Sequence, residues 1–304
     1  MANITAKDVA ALRELTGVGM MDCKKALVEA DGDTEKAVLL LREKGLATQA
    51  KKAGRIAAEG LVLAMVENGV GVVVEVNSET DFVANNDQFK GFVETVAKTI
   101  IEQNPADVDA LLKLTASGMS VTVEEALQEL FLKIRENMSI RRFTRMEGIL
   151  VPYVHGGGKI GVLVKLESDI DAEKLFAVGK DCALQAAAMN PAYLDRAAVP
   201  ANAVEEEKKI MLSQMAEDPK MANKPEAVLA KIVEGKVGKY YSENCLLEQP
   251  FVKDDKVSVG KYVENTAKEL GGSIKVVEFV RYEKGEGIQK REDNFADEVA
   301  SMMK

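Results

Sequence analysis

Apolar residues in the first 45 positions recur every three or four residues, and polar breaks divide them into three short helices. Thr5 and Asp8 form a capping pair for the first, where Val9, Leu12 and Thr16 follow at helical spacing. Gly17-Val18-Gly19 breaks it, Met20–Ala30 makes the second helix, and Asp31-Gly32 stops that one. Asp33 caps a third helix carrying Ala37, Val38, Leu40 and Leu41 on one side, and Gly45 closes it. Residues 1–45 thus read as a three-helix bundle with little core of its own. Residues 46–58, LATQAKKAGRIAA, are small and basic and read as a helical linker. Its cations Lys51, Lys52 and Arg55 could touch nucleic acid, although a solvated linker helix is the simpler reading.

Beyond the linker the pattern changes to β-branched runs, and it repeats. Glu59-Gly60-Leu61-Val62 leads through Glu67-Asn68-Gly69 into Gly71–Val76. About 90 residues later, Glu147–Val151 leads through His155-Gly156-Gly157-Gly158 into Gly161–Leu166. Each is a hairpin around a Gly-rich turn. Helical patterns follow both, at Gln88–Gln103 and Ala172–Ala188, and another at Val123–Asn137 precedes the second. The fold class is therefore α+β, with two related subdomains at 59–139 and 140–288, each a small antiparallel sheet covered by helices. The second is interrupted at about 203–242 by an inserted helical hairpin: Val204–Met215 and Lys224–Tyr241 joined by Asp218-Pro219-Lys220. A helix at Lys256–Leu270, a strand at Ile274–Tyr282 and a terminal module at 289–304, helical from Asp293 to Met303, complete the chain.

Composition narrows the function. With 47% hydrophobic residues, no Trp and 5% aromatics, the 304-residue chain builds aliphatic cores. A net charge of −9 argues against broad, phosphate-driven nucleic-acid binding. Cys23, Cys182 and Cys245 are far apart and fit a reducing cytoplasm, and His155, the single histidine, cannot complete a metal site alone. Neither a signal-peptide pattern nor a long apolar run is present, so no membrane is expected.

Enzymatic signatures fail one by one. Gly156-Gly157-Gly158-Lys159 is followed by Ile160 where a phosphate loop needs Ser or Thr, and it lies inside a hairpin turn. His155 with its glycines has no G-x-S-x-G nucleophile to serve. Asp31-Gly32-Asp33 lacks the other ligands of a calcium loop. Asp254-Asp255 reads as a solvated loop. The chain is expected not to be an enzyme.

Two segments look unsuited to pure scaffolding. In SETDFVANND, Phe82 occupies a polar turn beside Asp81. An exposed aromatic there is a recognition tip; the alternative has Asp81 capping the next helix while Phe82 folds under as a staple. The residues alone leave both open. In Gly19-Met20-Met21, adjacent helical residues point about 100° apart, so at most one methionine can enter so small a core. The other is then free as an adaptable apolar contact, unless both are partly buried.

At these residues the sequence resembles the bacterial elongation factor Ts family. The match runs in order through LRELTGVGMMDCKKAL (Leu12–Leu27), KKAG (Lys51–Gly54), AAEG (Ala57–Gly60), VNSETDFV (Val76–Val83), IRRF (Ile140–Phe143), YVHGGGKIGVL (Tyr153–Leu163), QPFV (Gln249–Val252) and GEGI (Gly285–Ile288), nearly the whole chain. The resemblance implies a guanine-nucleotide exchange factor for elongation factor Tu, which binds the Tu·GDP complex, disturbs its Mg²⁺ and phosphate site, and releases GDP so that GTP can bind. It implies a ubiquitin-associated-like N-terminal domain whose Arg13, Met20 and Met21 meet the partner. It assigns Thr80, Asp81, Phe82 and Val83 to dislodging Mg²⁺ from the partner, and His155 to the same contact. The factor itself would need no cofactor, no metal and no direct nucleic acid, and a dimer of two factor–partner pairs stays open. The family varies in length at Val108–Val121 and near Asp218. Competing classes are an adaptor of ubiquitin-associated type, for which the tip has no use, and an RNA-binding protein resting on Lys51, Lys52 and Arg55, which the acidic total opposes.

Overall fold

Thr5 opens the first element with a capping box: its hydroxyl accepts from the Asp8 N–H at 3.3 Å while the Asp8 carboxylate accepts from the Thr5 N–H at 2.8 Å. In the computed structural model, which describes residues 4–217 and 224–289, α1 (Ala6–Thr16) ends at a left-handed Gly17 (φ 69°). α2 (Met20–Glu29) and α3 (Thr34–Lys52, capped by Asp33) close a small core around Leu12, Cys23, Leu27 and Leu41.

β1 (Glu59–Glu67) and β2 (Val70–Ser78) form the first hairpin, followed by α4 (Asp81–Ala84), α5 (Asp87–Gln103), α6 (Val108–Lys113), α7 (Val123–Ile134) and β3 (Met138–Glu147). β4 (Ile149–His155) and β5 (Ile160–Ser168) form the second hairpin, followed by α8 (Ala172–Met189), α9 (Ala201–Glu217), α10 (Glu226–Asn244), β6 (Pro250–Phe251), β7 (Asp254–Ser258), α11 (Val259–Leu270) and β8 (Ile274–Glu283). The joint at 218–220 and the helix expected at 293–303 lie outside the described residues.

Several local expectations need correction. Gly45 does not end α3, which runs on to Lys52; it is buried where α3 crosses α7, and a Cβ there would lie 2.1 Å from the Leu132 side chain. The glycine permits close approach instead of termination. The Val123–Asn137 helix stops at Ile134, because Arg135 turns left-handed (φ 63°) as its C-cap. The Lys256–Leu270 helix begins only at Val259, since Asp254–Ser258 pairs as β7 and Ser258 caps α11. Asp254-Asp255 is therefore strand, not loop. β3 was not legible as a strand, because Arg141, Arg142 and Arg145 interrupt its apolar alternation.

The repeat extends to the backbone. β1-β2-β3 and β4-β5-β8 are both three-stranded antiparallel sheets in which the third strand arrives after a capped helix. The β2–β3 register skips Arg141 between Glu75 and Val76, and the β5–β8 register skips Val277 between Lys165 and Leu166: one bulge at corresponding places. Gly60 (φ 118°) and Gly148 (φ 127°) open the two hairpins in a conformation that a side chain would strain.

α5 and α7 cover one face of the first sheet, and α8 and α11 cover one face of the second. The other two faces pack on each other through Val62, Val73, Met146, Leu150 and Leu163. This sandwich places the end of β2 and the turn of the second hairpin beside the same stretch of β1.

Candidate functional site

β2 ends at Ser78, and the chain turns through Glu79-Thr80 into the one-turn helix α4. Thr80, not Asp81, is the cap: its hydroxyl accepts from the Val83 N–H at 3.4 Å. Its own carbonyl accepts from the Ser78 hydroxyl at 3.0 Å. Asn85 closes the turn, its N–H and its side-chain amide both donating to the Asp81 carbonyl at 3.0 Å, and Asn86 caps α5 immediately afterwards. Val83 is 6% exposed and shares the core of the first sheet with Leu61 and Phe89. Phe82 points the other way and is 84% exposed. The staple alternative is excluded.

A side chain from 56 positions away anchors this turn. Glu136 accepts from the Thr80 N–H at 3.0 Å and from its hydroxyl at 2.9 and 3.1 Å. Reciprocally, Glu79 accepts from the Asn137 N–H at 2.6 Å and pairs with Arg55 at 3.3 Å. An exposed aromatic thus stands on a turn whose polar groups are satisfied at both ends, an arrangement that loses little entropy on binding.

His155 lies at the last position of β4 and is exposed; its Nδ1 meets the Tyr153 hydroxyl at 3.0 Å. Three consecutive left-handed glycines, at φ 59°, 64° and 97°, carry the chain round to Lys159, whose N–H returns to the His155 carbonyl. The Gly158 carbonyl accepts from the Val62 N–H at 2.7 Å, and a Cβ on Gly158 would lie 2.8 Å from that of Leu61. Leu61 therefore supports both segments: it shares a core with Val83 and touches the turn after His155.

The N-terminal candidates lie on α1 and α2. Arg13 is exposed in the last turn of α1. Met20 and Met21 open α2 and are 51% and 64% exposed, so neither serves the small core; Leu15 is exposed nearby in sequence. The next residue, Asp22, pairs with Arg135 at 2.6 Å, which ties α2 to the corner after α7. Lys52 donates to the Arg135 carbonyl, and the linker cation Arg55 is engaged with Glu79.

Sequence reasoning missed a buried carboxylate. Glu75 is fully buried on β2 and accepts from Arg142 Nε at 2.7 Å, the Gly285 N–H at 2.8 Å, Arg141 Nη1 at 3.0 Å and the Asn77 amide at 3.1 Å. Burial alone would raise its pKa, but hydrogen bonds from Gly285, Arg142, Asn77 and Arg141 hold it below the usual glutamate value. The GEGI segment is thereby pinned against β2, and a Cβ on Gly285 would lie 2.2 Å from the Ala58 carbonyl oxygen. The one available signal was a lone Glu inside the apolar run GVVVEV.

Burial pushes the Cys182 thiol up to about 12 and the Cys245 thiol up to about 11, so neither is a ready nucleophile. Among the described residues, no three His, Cys, Asp or Glu side chains are placed to hold a metal ion, and no helix is long and apolar enough to cross a membrane.

The chain is similar to known proteins along its whole length. The family model described as "Elongation factor TS" matches residues 79–286. "Elongation factor Ts" of Clostridium tetani is 50% identical over 306 residues, 99% of each chain. That of Syntrophotalea carbinolica is 49% identical with 99% of each covered, and that of Clostridioides difficile 49% identical with 100% of each covered.

Proposed function

The chain belongs to the elongation factor Ts family of translation elongation, and from that premise we propose that it is a guanine-nucleotide exchange factor for elongation factor Tu. It binds the Tu·GDP complex, disturbs the Mg²⁺ and phosphate site there, and speeds GDP release. Phe82, exposed on a turn held rigid from both sides, is the observation that carries this reading.

The physics is linkage. GDP binding in a GTPase relies on Mg²⁺ bridging phosphate oxygens and protein ligands. A factor that binds a distorted, metal-poor arrangement more tightly must weaken nucleotide binding by the same ratio. Phe82 supplies the differential contact, on the order of 2–4 kcal/mol for a buried aromatic hot spot. Asp81, exposed beside it, competes with groups that organise the partner's metal site. Thr80 and Val83 act from within, one capping the turn and the other seating it on the core. His155 adds a contact from the second hairpin. Arg13, Met20 and Met21 dock a ubiquitin-associated-like unit on the same partner, with the methionines as adaptable apolar contacts. These roles place chemistry in the partner and leave this chain with no cofactor of its own.

The test is release of a fluorescent GDP analogue from purified elongation factor Tu, with and without the chain. Release should accelerate severalfold or more and lose that acceleration with Phe82→Ala. Release unaffected by the wild-type chain overturns the proposal.

A further inference from the structure

Arg135, Glu136 and Asn137 are consecutive, and each holds a different part of the molecule. The Arg135 guanidinium takes Asp22 of α2 at 2.6 Å, and its carbonyl receives Lys52 from the end of α3. The Asn137 amide donates to the carbonyls of Ala53 at 3.3 Å and Arg55 at 2.8 Å, fixing the linker. Between them Glu136 takes both donors of Thr80. Removing the Glu136 carboxylate leaves the Thr80 N–H without its partner and frees the hydroxyl that caps α4. Phe82, two residues on, gets no packing of its own from the core, so its direction is set by the α4 turn alone.

We propose that Glu136 is a positioning residue for exchange: it aims Phe82 by clamping Thr80, in one rigid corner with the Arg135 and Asn137 contacts that hold the N-terminal helices. This rests on the exchange reading above. Glu136 need not touch the partner. Its effect falls on the GDP-release step, which requires the tip in one orientation, while docking through Met20 and Met21 stays intact. Misplacing a reacting or contacting group by about 1 Å costs up to roughly a hundredfold in rate.

The experiment measures GDP release from elongation factor Tu against concentration of the full chain, for wild type, Glu136→Ala, Glu136→Gln and Phe82→Ala, and for Glu136→Ala combined with Phe82→Ala. Glu136→Ala should lower the maximal release rate roughly tenfold or more, with a half-saturating concentration within about twofold of wild type. Glu136→Gln should recover much of the rate, because its amide can accept from the Thr80 N–H and donate to the hydroxyl. In the Phe82→Ala background, Glu136→Ala should have a much smaller further effect, the remainder falling on Asp81 of the same turn. A wild-type maximal rate for Glu136→Ala overturns the proposal, as does an equal loss with and without Phe82. If Glu136→Ala does not fold, Thr80→Val with and without Phe82 decides by the same comparison. A wild-type rate for Phe82→Ala would overturn the role given to Phe82 and this proposal with it, whereas release unaffected by the wild-type chain would overturn the exchange reading itself.

Discussion

Gly161 of β5 lies so close to Val62 of β1 that a Cβ on the glycine would sit 2.5 Å from the valine Cγ1. The contact has a counterpart: a Cβ on Gly71 of β2 would sit 2.9 Å from Leu150 and 3.0 Å from Leu163. The two hairpins of the repeat thus interlock, each offering a bare backbone to the other's branched side chains. Leu61, next to Val62, shares the core of Val83 and lies against the turn after His155. Gly161→Ala should destabilise the chain by about 1–3 kcal/mol through overpacking, measured by urea unfolding. An unchanged unfolding midpoint would mean that the sheets can separate freely.

Phe82→Ala should leave stability within about 0.5 kcal/mol of wild type, because the ring is exposed and supports no core. The same variant should lose most acceleration of GDP release. Thermal unfolding followed by circular dichroism, alongside the release assay, separates these effects; a large drop in melting temperature would show the ring to be structural.

Removing residues 1–54 should leave a cooperative thermal transition, since both sheets and their covering helices lie beyond the cut. Its midpoint should fall, because Leu132 of α7, packed on the N-terminal core, is uncovered. Binding to elongation factor Tu, measured by titration calorimetry, should weaken with loss of Arg13, Met20 and Met21. A truncated chain with no cooperative transition would mean that the N-terminal helices belong to one folding unit with the sheets.

His155→Ala should weaken partner engagement by about 1 kcal/mol, as for a contact away from an interface centre. His155→Gln should retain more, as it keeps length and a hydrogen-bonding end. Partner affinity unchanged in His155→Ala, measured by the same titration calorimetry, would reject the contact role.

Glu75 gives stability a defined acid limb. Its pKa is depressed in the folded chain, so it contributes stability above the ordinary glutamate value of 4.5, and this is lost as pH falls below that value toward the folded pKa. Glu75→Gln should cost roughly 2 kcal/mol or more at neutral pH, since Arg141, Arg142 and the Gly285 N–H lose a charged acceptor. Its stability should then fall less steeply than wild type below about pH 4.5. Parallel acid-unfolding curves for the two proteins would show that Glu75 does not govern that limb.

The sequence by itself determined the elements whose signals are local. Thr5 with Asp8, Gly17 and Asp33 marked helix ends through bonds spanning five residues or fewer, and the Glu-Gly openings of both hairpins announced the repeat. It also marked Phe82 as anomalous, because an aromatic in SETDFVANND conflicts with its neighbours. Only the tertiary structure decided which way Phe82 points. That choice depends on Val83 finding Leu61 and on Thr80 finding Glu136, a partner 56 residues on with no periodicity to announce it. The same holds for β3, whose arginines look like a solvated stretch until Glu75 and Glu286 face them, and for Gly45, a stop signal in sequence but a crossing point against Leu132 in space. Hydrophobic period and capping chemistry act within a turn or two of chain, whereas burial and charge pairing are settled by whatever the fold brings alongside.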